Sequence, residues 1–161
     1  MKRHVLLFWI GPSLYAISTA NVREIVPMAT LTPAPGQPPL LRGFLNVRGA
    51  ALPVIRLRYL FGNEDREPQR YTPLILIDVE DQAFGLELDS LQDVLEVDEA
   101  SLQGLAADRS ANDCARGMFQ WEGRDVILLS CELLLLAQER AFVSMLQAAV
   151  QQRLSELGPA R

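Results

Sequence analysis

Cysteine and histidine are scarce in this 161-residue chain, which carries only Cys114, Cys131 and His4. Two cysteines cannot make a disulfide framework. Without a CxxC pair or a second histidine they cannot make a metal knuckle either, so free thiols in a reducing cytosolic compartment are expected. A lone histidine beside the N-terminus is a poor general base. Glycine-rich phosphate loops and G-x-S-x-G elbows are missing as well. The carboxylates lack the paired spacing or positioned partner that would point to catalysis. These absences argue against an enzyme and imply no metal or cofactor. Basic charge is also in short supply, with 15 Lys and Arg against 20 Asp and Glu for a net charge of −5, which disfavours a general nucleic-acid binder. No apolar run approaches the roughly 18 residues of a membrane span. Lys2-Arg3 followed by Val5–Ile10 has the look of a signal-peptide start. That run stops at Gly11-Pro12, short of an h-region, with no small-x-small site close behind. A soluble protein is expected.

What the chain does have is apolar residues, at 49%, mixed with 22% charged ones. That suits a single domain or two very small lobes with a sizeable core. The charge is unevenly spread. Residues 1–70 hold nine basic and four acidic side chains, residues 71–161 hold six and sixteen, and Tyr71–Ala100 contains nine acids and no base. Such a block marks either a solvated face or two lobes with opposite fields, each suited to a different partner.

The sequence also repeats. At an offset of 69, Val5–Met28 lies over Leu74–Val97, with apolar pairs Val5/Leu74, Leu7/Leu76, Phe8/Ile77, Tyr15/Phe84, Ile17/Leu86, Val22/Leu91, Ile25/Val94 and Met28/Val97. At an offset of 74, Gly43–Leu60 lies over Gly117–Leu134, bringing Gly43 onto Gly117 and Gly49 onto Gly123. Hydrophobic strands resemble one another by chance. Two coincident glycines with shared turn spacing favour duplication.

Each half then has one plan. Strands Val5–Ile10 and Leu14–Ile17 turn about Gly11-Pro12-Ser13, and Leu74–Val79 and Ala83–Leu88 turn about Glu80-Asp81-Gln82. Short turn-like segments follow at Val22–Val26 and Leu91–Leu95. They lead into a Pro-rich extended loop at 32–39 and a polar loop at Gln103–Asp113. A hairpin closes each half: Phe44–Val47 and Ala51–Ile55 about Arg48-Gly49, Met118–Trp121 and Asp125–Leu129 about Glu122-Gly123. Pro53 signals an edge or bulge position. Four or five short strands per half predict a mainly β protein made of two small barrels, with Gly62–Thr72 connecting them. From Cys131 to Leu157 no Pro or Gly intervenes, and Gly158-Pro159 is a stop. Leu136, Phe142, Val143, Leu146, Val150, Leu154 and Leu157 trace the apolar stripe of an amphipathic helix that either packs on a lobe or projects toward a partner.

In this order Tyr15-Ala16-Ile17, Val22-Arg23-Glu24-Ile25, Gly43-Phe44-Leu45-Asn46-Val47-Arg48-Gly49 and Leu52-Pro53-Val54-Ile55 resemble the CheW family of chemotaxis coupling (adaptor) proteins. Phe84–Leu91 and Gly117–Leu129 continue the likeness, which spans about residues 3–136 and is most specific at Asn-x-Arg-Gly and Leu-Pro-Val. The resemblance implies two SH3-like five-stranded barrels. A CheW-like domain over residues 1–137 would have a first lobe near 14–70 and a second near 71–137, with possible strand exchange at the ends, and 138–161 would form a helical extension. It further implies a non-enzymatic scaffold in the cytoplasm, at membrane-associated receptor arrays. Its partners would be the regulatory domain of a CheA-type histidine kinase and the cytoplasmic tip of a methyl-accepting chemoreceptor, with no nucleic acid and no membrane insertion. Family knowledge places protein binding on Val22, Glu24, Asn46, Arg48 and Gly49. An exposed hairpin arginine is suited to that role, since its planar five-donor group recognises carboxylates and helix C-termini. Alternatively Arg48 braces its own turn, Glu24 is an ordinary surface charge, and Phe44 and Leu45 belong to the core.

Two departures stand out. Arg56 follows Pro-Val-Ile where the family commonly has Asp, and Leu129-Ser130-Cys131 stands where Leu-Asp is usual. Arg48 of the first half coincides with Glu122 of the second, so a partner suited to one hairpin is repelled by the other. Two rival functions remain: a CheW-like scaffold of a pilus or second-messenger pathway, and a structural protein that self-associates through oppositely charged lobes.

Overall fold

The computed structural model describes residues 1–33, 36–104 and 113–156, with side chains of the last helix given as far as 142 and at 145. Among the described residues ten strands run in order: β1 (Lys2–Ile10), β2 (Ser13–Ser18), β3 (Val22–Pro27), β4 (Leu41–Val47), β5 (Ala50–Arg56), β6 (Pro73–Val79), β7 (Gln82–Glu87), β8 (Ser90–Asp98), β9 (Ala115–Trp121) and β10 (Arg124–Leu129). A short helix α1 (Leu57–Leu60) follows β5, and the long helix α2 (Cys131–Glu156) follows β10. The segments read as turn-like at Val22–Val26 and Leu91–Leu95 are strands β3 and β8. Both lie at sheet edges, where one face stays in water and the apolar signal is weak.

The strands form two five-stranded sheets, ordered β8-β1-β2-β10-β9 and β3-β6-β7-β5-β4. The repeat is therefore real strand by strand. Val26↔Leu74 in one sheet is matched by Val5↔Leu95 in the other, and Val54↔Gly85 by Leu128↔Ala16. The sheets do not divide at residue 70. The hairpin β1–β2 of the first repeat completes the sheet of β8–β10, and β6–β7 of the second completes the sheet of β3–β5. A whole hairpin is exchanged each way, so β2, inside the expected first lobe, belongs with the second half of the chain.

Exchange explains why β1 and β6 read as unbroken apolar runs without alternation. Val5 and Leu7 point into a core with Leu14, Phe119 and Val126, while Leu6, Phe8 and Ile10 point into a second one. Leu74 and Leu76 likewise pack with Leu45, Leu52 and Val54, while Ile75 and Ile77 join Phe8 and Ile10. Each sheet has its own interior and the two share a third core between them. Strands buried on both faces lose the period-2 signal.

Neither sheet closes as a continuous ladder. Each curls until the chain beyond its first edge strand touches its last. Thr32, past β3, exchanges two 2.9 Å backbone bonds with Phe44 of β4, and Gln103, past β8, exchanges bonds of 2.8 and 2.9 Å with Met118 of β9. The glycines aligned in the sequence stand beside these closures. A Cβ on Gly43 would lie 2.9 Å from Leu31 Cβ, and one on Gly117 would lie 3.1 Å from the Gln103 carbonyl oxygen. Residues 34–35 and 105–112, within the expected loops, lie outside the described residues.

Pro53 is not on an edge strand. β5 pairs with β4 on one side and β7 on the other, but the β7 ladder begins only at Val54, so the missing Pro53 N–H interrupts no ladder bond to β7. Helix α2 starts at Cys131, where the Pro- and Gly-free run of the sequence begins. Among the described side chains its buried residues are Cys131, Leu134, Leu135, Gln138 and Ala141, all but Gln138 within the shared core; Met145 packs against that core, and Phe142 lies against the Phe44 ring. Leu136, placed on the apolar stripe, is 46% exposed, because the run of four leucines admits two phases and the core selects 134/135/138. The rest of the expected stripe lies outside the described side chains.

The two family departures occupy equivalent places. Ser130 precedes α2, and its hydroxyl accepts the Leu133 N–H at 3.2 Å, a helix cap that Asp would also supply. Arg56 precedes α1 and makes no side-chain cap. Its guanidinium instead donates to the Pro39 carbonyl, lies 3.0 Å from Asp65 and sits 5.6 Å over the Tyr59 ring.

Candidate functional site

The strand directions put the residues named from the sequence at one end of the β3-β6-β7-β5-β4 sheet. β3 begins there at Val22, β6 and β7 turn there at Glu80-Asp81, and β4 and β5 turn there at Arg48-Gly49. The structure thus brings Asn46, Arg48 and Gly49 together in one hairpin and sets Val22 and Glu24 across the sheet on the opposite edge strand.

The hairpin is a two-residue turn with Arg48 at φ 51° and Gly49 at φ 87°. Positive φ at both positions is the type I′ geometry that matches the twist of the flanking strands, and a non-glycine residue in the first of them carries strain. Asn46 relieves the turn: its Oδ1 accepts the Gly49 N–H at 2.9 Å. Asn46 and Gly49 therefore build the turn, and Arg48 is what the turn displays. Arg48 is exposed. Among the described residues no hydrogen bond or ion pair engages its guanidinium, so it does not brace its own turn. The equivalent turn in the other sheet has the same backbone, Glu122 at φ 48° and Gly123 at φ 75°, and the opposite charge.

Across the sheet, Val22 is half-buried, its inner side packed on the shared core. Glu24 is half-buried and paired in register with Leu76 on β6. Beside it Arg23 lies 3.9 Å from Asp78, and Asn21 Nδ2 donates to the Asp78 carbonyl at 3.1 Å. Phe44 and Leu45 divide as adjacent strand residues must: Leu45 is buried inside its own sheet, and Phe44 packs on the shared core with its ring 5.8 Å from that of Phe142.

Sequence reasoning passed over Ile25 and Val94. They are 43% and 55% exposed on edge strands β3 and β8. They coincide at the 69-residue offset, so the repeat itself held the signal: a large apolar residue in both copies, outside either core. The charge asymmetry also has a different outcome from opposed lobes. Because hairpins are exchanged, cations of the first 70 residues meet acids of the second half within the molecule. Lys2 pairs with Glu96, Arg3 with Glu99, Arg42 with Glu87 and Arg58 with Asp89. Much of the acidic block is neutralised internally.

Those pairs set the local acid–base behaviour. Burial alone would lower the Arg42 guanidinium, but its hydrogen bonds to Glu87 and Asp65 outweigh this and hold it firmly charged. The Arg42 hydrogen bond holds the Asp65 carboxyl below the usual carboxylate range. Burial works to raise Asp89, and its bonds from Arg58 and the Gly11 N–H lower it on balance. Burial pushes the thiols of Cys114 and Cys131 up to about 11 and about 12, which makes them weak nucleophiles and poor metal ligands. Among the described residues no cluster of three or more His, Cys, Asp or Glu is placed to hold a metal ion, and no helix is long and apolar enough to cross a membrane.

The chain is similar to named proteins along most of its length. The chemotaxis protein CheW of Rhizobium meliloti is 29% identical over 141 residues, covering 86% of this chain and 90% of its own length. That of Helicobacter pylori is 29% identical over 129 residues, covering 80% and 78%. The crystal structure of the scaffolding protein TtCheW from Thermoanaerobacter tengcongensis superposes with a TM-score of 0.73 at 24% identity, covering 81% of this chain and 85% of that one. The family model described as the CheW-like domain matches residues 4–139. With two exchanged five-stranded sheets, the duplicated glycine turns and that match across most of its length, the chain belongs to the CheW-like family.

Proposed function

We propose that this chain is a non-enzymatic scaffold that couples the cytoplasmic tip of a methyl-accepting chemoreceptor to the regulatory domain of a CheA-type histidine kinase. It would act in the cytoplasm, at receptor arrays on the membrane. The reading is supported by membership of the CheW-like family and by relatives named for chemotaxis. The single observation that carries it to a residue is Arg48, exposed on a strained turn and unpaired among the described residues. A turn that holds a charged group outward without an internal partner leaves its hydrogen-bonding capacity for another molecule. Val22 and Glu24, on the opposite edge strand at the same end, form the second part of the proposed surface.

The test is Arg48→Glu, assayed by circular dichroism and by titration against the kinase regulatory domain and a receptor hairpin fragment from the same cell. Arginines at interface hot spots cost about 2 kcal/mol or more when lost, roughly thirtyfold in affinity. The expected result is an unchanged spectrum with binding to at least one partner weakened by that order. Unchanged affinity for both, with the fold intact, removes Arg48 from the interface.

A further inference from the structure

The chain crosses between the two sheets twice near the shared core, and the two crossings are built differently. At the second, β7 ends at Glu87 and β8 begins at Ser90, with Asp89 between them. Asp89 receives Arg58 Nε at 2.8 Å on one oxygen and Arg58 Nη2 at 2.7 Å on the other, and the Gly11 N–H at 2.7 Å on that second oxygen. Its own N–H donates to the Trp9 carbonyl at 3.1 Å, and Arg58 Nη1 donates to the Glu64 carbonyl at 2.9 Å. Trp9 and Gly11 belong to the β1–β2 turn of one sheet, and Arg58 and Glu64 to the exit from the other. The side chains of Arg58 and Asp89 are 15% and 14% exposed, so this pair is largely shielded from water and salt. A bidentate Arg–carboxylate pair fixes direction as well as distance.

The first crossing is the equivalent place under the repeat. There β2 ends at Ser18 and β3 begins at Val22. Offsets of 69 and 74 put Ala20 where Asp89 stands, Glu80 where Gly11 stands and Glu132 where Arg58 stands, so no charged clamp can form. The crossing is held by neutral bonds instead: Thr19 Oγ1 to the His4 carbonyl at 3.3 Å and Asn21 Nδ2 to the Asp78 carbonyl at 3.1 Å. An open cleft of about 460 Å³ lies beside this crossing, its other walls, Arg3, Arg116 and Leu129, belonging to the β8-β1-β2-β10-β9 sheet and Glu132 to the start of α2.

We propose that the Arg58–Asp89–Gly11 contact is a latch that fixes one crossover, so that relative motion of the two sheets is a hinge about it, with the larger displacement at the unlatched crossover. The geometry asks for this because packed sheets that share a core move as bodies, and the stiffest link between two bodies becomes the pivot. The Arg48 hairpin rides on one sheet and the Glu122 hairpin on the other, so the hinge sets the angle between them. Only this last consequence, for how a partner is gripped, rests on the adaptor reading; the hinge itself is a property of the isolated chain.

Spin labels at Ala51→Cys on β5 and Gln120→Cys on β9, in a chain with Cys114 and Cys131 replaced by Ala, report the distance between sheets without any partner. The expected result is a narrow distance distribution in the parent and one at least twice as wide with Asp89→Ala. Asp89→Asn, which keeps an acceptor oxygen and loses the charge, should lie between. Thr19→Ala combined with Asn21→Ala, at the other crossing, should leave the width near the parent value. A folded Asp89→Ala protein with the parent width overturns the latch, as does equal broadening by the Thr19/Asn21 pair. If Asp89→Ala does not fold, Asp89→Asn decides: a wider distribution supports the latch and an unchanged one overturns it.

Discussion

Replacing Gly43 by alanine tests how the sheets close. The added Cβ would stand 2.9 Å from Leu31 Cβ and 3.2 Å from the Thr32 carbonyl oxygen. Real Cβ atoms essentially never show the first distance and seldom the second, and the first neighbour is the stiff base of a side chain while the second is backbone. The segment at 31–32 must therefore move away, and the atoms that move carry the two 2.9 Å bonds between Thr32 and Phe44. Overpacking a tight site costs about 1–3 kcal/mol. Losing part of a two-bond bridge adds about 1 kcal/mol. A total of about 2–4 kcal/mol lowers the melting temperature of a domain this size by roughly 4–16 °C. Gly117→Ala should be milder, since its Cβ meets the Gln103 carbonyl oxygen at 3.1 Å and Leu102 Cβ only at 3.6 Å. Calorimetry gives the stability, and amide exchange at Thr32 and Phe44 shows whether the bridge itself opened. A cost below about 0.5 kcal/mol with both amides still protected would refute the close-approach argument, and so would a larger loss for Gly117→Ala than for Gly43→Ala.

Other consequences are direct. Leu135→Ala, at a 2% exposed position in the core shared by both sheets, should cost about 2–5 kcal/mol, whereas Leu136→Ala, its exposed neighbour, should stay within about 0.5 kcal/mol; equal effects in urea titration would mean that α2 is packed in the other phase. Asp65 and Asp89 have lowered carboxyl pKa values in the folded chain, so their contribution is complete above the unfolded value near 4 and is lost as pH falls through the folded values. Asp89→Asn should accordingly flatten the acid limb of a stability–pH curve, and an unaltered limb would contradict the pairing. Because burial raises Cys114 and Cys131 to about 11 and about 12, thiol reagents at pH 8 should react at the rate of unfolding, and fast labelling of the native chain would show that these sites are open.

The proposed site divides along a physical line. Asn46 and Gly49 were legible because a two-residue turn needs positive φ and a local acceptor, both of which are written in neighbouring residues. That Arg48 has no partner among the described residues was not legible, since sequence order does not say which acids a cation will meet; the fold gives Glu96, Glu99, Glu87 and Asp89 to Lys2, Arg3, Arg42 and Arg58. Val22 and Glu24 looked like part of a turn because an edge strand with one wet face has few apolar residues to announce it. Ile25 and Val94 were visible as a repeated apolar pair, but exposure is a property of the packed molecule.

The sequence by itself determined the repeat, the strand pairs joined by short turns, the hairpin glycines and the presence of a terminal helix, because each depends on residues a few positions apart: side-chain period, φ preference and local capping. It left open which strands share a sheet. An apolar run such as Val5–Ile10 fits equally well beside its own repeat or the other one, as the two repeats present the same register to it. Only the tertiary structure chose the exchanged arrangement, in which β1, β2, β6 and β7 are buried on both faces and a third core forms between the sheets. That choice also selected the phase of α2, joined the two charged halves of the chain and set the ion-paired crossing at Asp89 opposite the neutral one at Ala20.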